Sequence, residues 1–121
     1  MSGTMTWVGF DVHARSTHAA AIDRDTGELS RMRFGAGVQA PVAWLGSLPG
    51  PVRACYEAGP TGYGLARELA KRRVECVVAA PSKIPRASGD RVKTDRRDAE
   101  LLVRLLLAGK LHAVRVPGPE G

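Results

Sequence analysis

Cysteine, aromatic residues and long apolar runs are all scarce in this 121-residue chain. Its two cysteines, Cys55 and Cys76, sit in the apolar runs VRACYEA and VECVVAA. They read as reduced, half-buried thiols in strands, which excludes a disulfide framework and a cysteine-based zinc site. Aromatic residues make up only 5% of the chain, so base stacking is not an evident mode of nucleic-acid recognition. No run reaches the roughly 20 apolar residues that cross a bilayer. The opening MSGTMTWVGFDVH lacks a charged leader followed by an apolar core. A cytoplasmic protein with no membrane partner is the expectation. Phosphate-loop chemistry is also missing, because the glycines of YEAGPTGYGLARELAKR are not followed by Gly-Lys-Ser/Thr.

What remains is enough for one domain. Hydrophobic residues make up 44% and charged residues 25%, close to globular averages, and the length suits one hydrophobic core. Eighteen basic against twelve acidic residues leave a formal net charge of +6, which favours a polyanionic partner.

Along the chain, Trp7 to Val12 reads as a buried strand, Thr17 to Ile22 as a second, and Glu28 to Phe34 as a third after the turn DRDTG. Short turns between them predict an antiparallel meander. Val38 to Leu48 then carries Val42, Trp44, Leu45 and Leu48 at roughly helical spacing before LPGP stops it. Val52 to Glu57 is a strand, Pro60 to Arg73 a helix with Leu65 and Leu69 on one face, and Val74 to Ala79 another strand. Helices between strands predict crossovers and a parallel part of the sheet. A loop, PSKIPRASGDRVKTDRR, leads to a last helix beginning at Asp95 or Asp98 and ending at Ala108, with Gly109 as its C-cap. That helix is apolar nearly all round, which predicts burial by this domain or by a partner. The expected order is βββαβαβ followed by a C-terminal helix. Residues 1–112 form the domain, and residues 113–121 are a linker or truncated end.

Four acidic residues stand where chemistry makes sense. Asp11 ends the first strand, Glu57 ends the fourth, and Asp95 and Asp98 lie three apart at a helix start. Ligands gather at the carboxyl ends of adjacent parallel strands. Four crowded carboxylates need cations, and hard oxygen donors select Mg²⁺ or Mn²⁺. Two such ions suit phosphoryl transfer. Ordinary roles are open for each residue: Asp11 bonded to its turn, Glu57 beside another turn, Asp95 as an N-cap with Asp98 in the first helical turn. The histidines, His13, His18 and His112, lack ligand spacing and read as surface or turn residues, with His13 two residues after Asp11 and so within reach of the site. Lys83, Arg86, Arg91, Lys93, Arg96 and Arg97 precede or adjoin the D-x-x-D pair. A cationic segment there suits a phosphate backbone.

Three stretches, VGFDVHARSTHAAAID, YEAGPTGYGLARELAKRRVECVVAAPSKIPR and KTDRRDAELLVRLLLAGKL, cover nearly the whole chain. In that order they resemble the DEDD transposases of the insertion-sequence one-ten family, recombinases guided by a structured RNA. The resemblance implies a RuvC-like, ribonuclease H-type α/β fold. It also implies that Asp11, Glu57, Asp95 and Asp98 are the four metal-binding carboxylates. With Mg²⁺, such a domain would cut and join DNA during transposition. The basic loop would meet DNA or guide RNA. A further serine-bearing domain, absent from these 121 residues, would complete the site, and the full-length protein would be a homo-oligomer. Three other readings compete: a stand-alone RuvC-like nuclease or junction resolvase, an actin-like ATPase half, and a transposon remnant that only binds nucleic acid.

Overall fold

Strands buried on both faces organise the amino-terminal half of the computed structural model, which describes residues 3–59, 62–81 and 98–116. Strands β1 (Thr6–Val12), β2 (Thr17–Asp23) and β3 (Leu29–Phe34) form an antiparallel meander. Helix α1 (Gln39–Leu45) leads to β4 (Val52–Glu57), and α2 (Gly64–Lys71) leads to β5 (Glu75–Ala79). Both β4 and β5 join the sheet in parallel, giving the spatial order β3-β2-β1-β4-β5. Helix α3 (Ala99–Ala108) closes the series. The expected mixed α/β sheet and the order βββαβαβ-α are both present, in the arrangement of a ribonuclease H-like fold.

The central strand separates two cores. Val8, Phe10 and Val12 of β1 join Ala54 and Tyr56 of β4, Val42 and Leu45 of α1, and Leu65 and Leu69 of α2. The alternate residues face α3 instead: Trp7, Ala20 and Ile22 meet Ala99 and Val103, while Cys55 meets Leu102 and Leu106. Strand periodicity of two therefore gives β1 a helix layer on each face. Cys55 and Cys76 form no disulfide and pack on opposite faces of the sheet, as two thiols rather than a bridge.

Glycine 9 sets the second interface. A Cβ there would lie 2.5 Å from the carbonyl oxygen of Ala99 and 2.7 Å from the amide nitrogen of Val103, both backbone atoms. Only a residue without a side chain lets α3 lie so close to the central strand.

The end of α1 and the start of α2 differ from expectation, while the end of α3 does not. Helix α1 ends at Leu45 rather than Leu48; Ser47 and Leu48 follow it in tight turns, their amides bonding the carbonyls of Trp44 and Leu45. Among the described residues α2 begins only at Gly64, because Gly62 holds a left-handed φ of 79° that no helix accepts. Pro60 lies outside the described residues. Helix α3 stops at Gly109, whose φ of 69° is the expected left-handed C-cap. Its apolar circumference is only partly covered: Leu102, Val103 and Leu106 are buried, while Leu101 and Leu107 are exposed.

After α3 the chain returns to the sheet. The amide of Ala80 donates to the carbonyl of His112, and the amide of Val114 donates to the carbonyl of Val78. Ala113 bridges Ala79, and Val114 and Val116 pack against the core.

Candidate nucleic acid and metal site

The carboxyl ends of β1 and β4 are neighbours, because these strands pair in parallel as far as Phe10 and Tyr56. Asp11 and Glu57 are the next residues on each. Both fall on the face covered by α3, since Gly9 and Cys55, two residues earlier, pack against that helix. Helix α3 places its first turn beside them. Asp11 and Asp98 line one groove of about 410 Å³, together with His13, His18, Arg31 and Glu100. Glu57 is almost wholly buried, at 4% exposure. Three of the four expected carboxylates thus share one face and one end of the sheet.

Asp95 and the six basic residues Lys83, Arg86, Arg91, Lys93, Arg96 and Arg97 lie outside the described residues. Among the described residues no three acidic, histidine or cysteine side chains close around a single point tightly enough to cage a metal ion. The donor chemistry nevertheless fits a hard divalent cation. Two of the expected carboxylates, Asp11 and Asp98, face the groove, a third ends the adjoining strand, and oxygen is the only donor that all three supply.

Asp98 also has a local role. Its Oδ1 accepts a hydrogen bond of 2.8 Å from the amide of Leu101, and its backbone is extended, so it is the N-cap of α3. The capping role expected of Asp95 therefore belongs to Asp98. The acidic residue of the first turn is Glu100, which suits the positive end of a helix.

Sequence reading undervalued the histidines. His13 Nε2 stands 3.0 Å from Asp11 Oδ2, and the Asp11 side chain is only 16% exposed. His18 pairs with Asp11 across β1 and β2 and lines the same groove. The spacing Asp-x-His carried the first contact, because the turn after β1 folds back at once: the amide of His13 donates to the carbonyl of Ser16. The second contact depends on strand register, which spacing alone does not reveal.

Glu100 fixes the outer wall. Arg31 of β3 pairs with its Oε1, and Arg104, one helical turn on, approaches its Oε2 at 3.0 Å. The two guanidiniums hold the Glu100 carboxyl below the ordinary carboxylate value of 4.5, Arg31 contributing most. This triad ties the start of α3 to the edge strand and so holds Asp98 beside Asp11.

Comparison with known proteins places the chain in a transposase family. A family model for DEDD transposases of the insertion-sequence one-ten (IS110) type, described as a transposase, matches residues 8–120. The chain is 47% identical over 118 residues to y4qE of Sinorhizobium fredii (strain NBRC 101917 / NGR234), which carries a transposase name; the match covers 92% of this chain and 30% of that protein. It is 34% identical over 109 residues to the transposase for insertion sequence element IS1533 of Leptospira borgpetersenii, covering 87% of this chain and 32% of that protein. The chain thus spans about a third of the length of these curated relatives.

Proposed function

The chain belongs to the IS110-type DEDD transposase family, and on that premise we propose that it forms the metal-dependent part of a DNA strand-cleaving and strand-joining site. The observation that carries this reading is the shared groove: Asp11 at the end of the central strand and Asp98 at the start of α3 line it together, with Glu57 ending the adjacent strand on the same face. Asp11, Glu57 and Asp98, with Asp95 as the fourth carboxylate, would hold Mg²⁺ or Mn²⁺. Bound ions of this kind supply charge neutralisation at phosphorus and lower the pKa of an attacking hydroxyl.

The chain's own residues do the positioning. Asp11 is rigid because it sits on the central strand between two packed helix layers. His13 holds one of its oxygens from the turn side. Asp98 is fixed by its hydrogen bond to the helix it caps and by the Arg31–Glu100–Arg104 triad beside it. A site that must align an in-line displacement gains from such fixed ligands. The DNA substrate, a guide RNA, oligomer formation and a serine-bearing domain elsewhere in a longer protein are parts of the same proposal. Relatives about three times as long support room for that domain.

Titration with Mg²⁺ and Mn²⁺, read by calorimetry on the chain and on Asp11→Asn and Asp98→Asn, tests the assignment. Saturable binding lost in both variants supports it. Binding that survives both substitutions, or its absence even when the DNA substrate is added, rejects it.

A further inference from the structure

The register of the sheet draws a line of side chains from the carboxylates to the exposed edge of the molecule. Asp11 pairs with His18, and His18 pairs with Arg33. These three lie in one row across β1, β2 and β3, on the face that carries α3. The row behind it, Gly9, Ala20 and Arg31, is engaged by α3: the helix rests on Gly9, packs on Ala20, and pairs its Glu100 with the exposed Arg31. The front row lies beyond the first turn of that helix. It begins at a candidate metal-binding carboxylate and ends at an exposed guanidinium on a strand that forms the sheet's edge.

We propose that Arg33, at the outer end of this row, seats the phosphodiester backbone of the DNA strand whose reacting phosphate meets Asp11; the inference rests on the functional reading above. Two strand spacings separate the two positions, about 10 Å, a distance that a few nucleotides of backbone span. A ligand touching both ends needs a centre that carboxylates accept through bound cations and a further anion some ångströms away. A phosphodiester chain repeats its charge and meets both demands. An acidic peptide meets the guanidinium but offers nothing that reacts at the carboxylates. Arg31 is the less suitable seat, because Glu100 already neutralises it and α3 depends on the pair. The place of Arg33 is set by strand pairing, so it marks the direction in which the strand leaves the site.

The test is binding of a fluorescein-labelled single-stranded DNA oligonucleotide to the chain with Ca²⁺ present, followed by anisotropy over a series of KCl concentrations. A divalent cation at the carboxylates lets the phosphate approach Asp11, and because every variant keeps the same carboxylates the differences report on the substituted position. Arg33→Glu is compared with Lys71→Glu, which makes the same charge change on α2, against the opposite face of the sheet. Arg33→Glu is expected to weaken binding about tenfold and to lower the slope of log K against log salt by about 0.7 to 1 relative to Lys71→Glu, with Arg33→Lys recovering most of the loss. Arg33 is exposed on an edge strand, and circular dichroism checks that the variants fold. Equal behaviour of the two Glu variants overturns the inference and leaves the carboxylate reading intact. Failure of the unaltered chain to bind DNA even at low salt overturns both.

Discussion

Position 9 shows how a single residue sets the dimensions of the site. Any side chain there collides with the backbone of α3, and backbone cannot rotate away as a side chain can. Gly9→Ala should therefore lower stability by about 1–3 kcal/mol, read as a shift in urea midpoint. It should also move α3, and with it Asp98, so metal affinity should fall in a variant that keeps every carboxylate. At position 98 two substitutions separate two roles. Asparagine caps helices as well as aspartate does, whereas alanine costs about 1 kcal/mol. Asp98→Asn should keep the thermal midpoint close to that of the unaltered chain and lose metal binding, while Asp98→Ala should lose both. If Asp98→Asn binds Mg²⁺ normally, its carboxylate serves the helix alone. The places of Asp11, Glu57 and Asp98 at strand ends and a helix start were readable from the sequence, because such ends announce themselves through hydrophobic patterning. Gly9 was not, since a glycine inside a strand gives no sign of which backbone will approach it.

Among the elements, α3 shows both what patterning can and cannot supply. Its extent and its glycine stop follow from the leucine-rich run and Gly109. Its orientation does not, because a helix apolar on most sides offers no single face to dock. The deciding contacts are Gly9 on one side and, on another, the Arg31–Glu100 pair, which joins residues 69 positions apart. The same pair gives an acid-side prediction. The Glu100 carboxyl is held below its ordinary value in the folded chain. Its stabilising effect is fully present above that ordinary value and is lost as pH falls through the lowered one. Glu100→Gln should reduce the acid dependence of the urea midpoint, and a variant as acid-sensitive as the unaltered chain would rule the pair out as a contributor. Register accounts for the roles of His18 and Arg33 too. The two strands β2 and β3 were legible, but which residue of one strand faces which residue of the next depends on the turns between them.

At the scale of the whole molecule, alkaline pH acts through the core. Burial pushes the Cys76 thiol from 9.0 up to about 12, and burial likewise pushes the Tyr56 hydroxyl from 10.0 up to about 12. Between the ordinary and the raised values the unfolded chain has released protons that the folded chain retains, so stability falls as pH rises through that window. Cys76→Ala should flatten the first part of the decline, near pH 9, leaving the later part to Tyr56; an unchanged profile would mean that Cys76 ionises in the folded protein as it does in the unfolded one. The antiparallel meander and the parallel extension were legible as types of connection. The spatial order β3-β2-β1-β4-β5 was not legible from patterning, because the order of strands is a property of how the elements pack.

The short return of residues 112–114 to β5 has a consequence for any shortening of this protein. An uncovered outer strand is a row of vacant donors and acceptors that will zip onto another chain. Here the amide and carbonyl groups around Ala79 are partly closed from within by His112, Ala113 and Val114. A chain cut at Gly109, the natural-looking stop after α3, would keep every described carboxylate and still lose this seal. Such a chain is expected to self-associate through β5, so the smallest piece that stays apart from its own copies is set by the rim of the sheet and not by the groove.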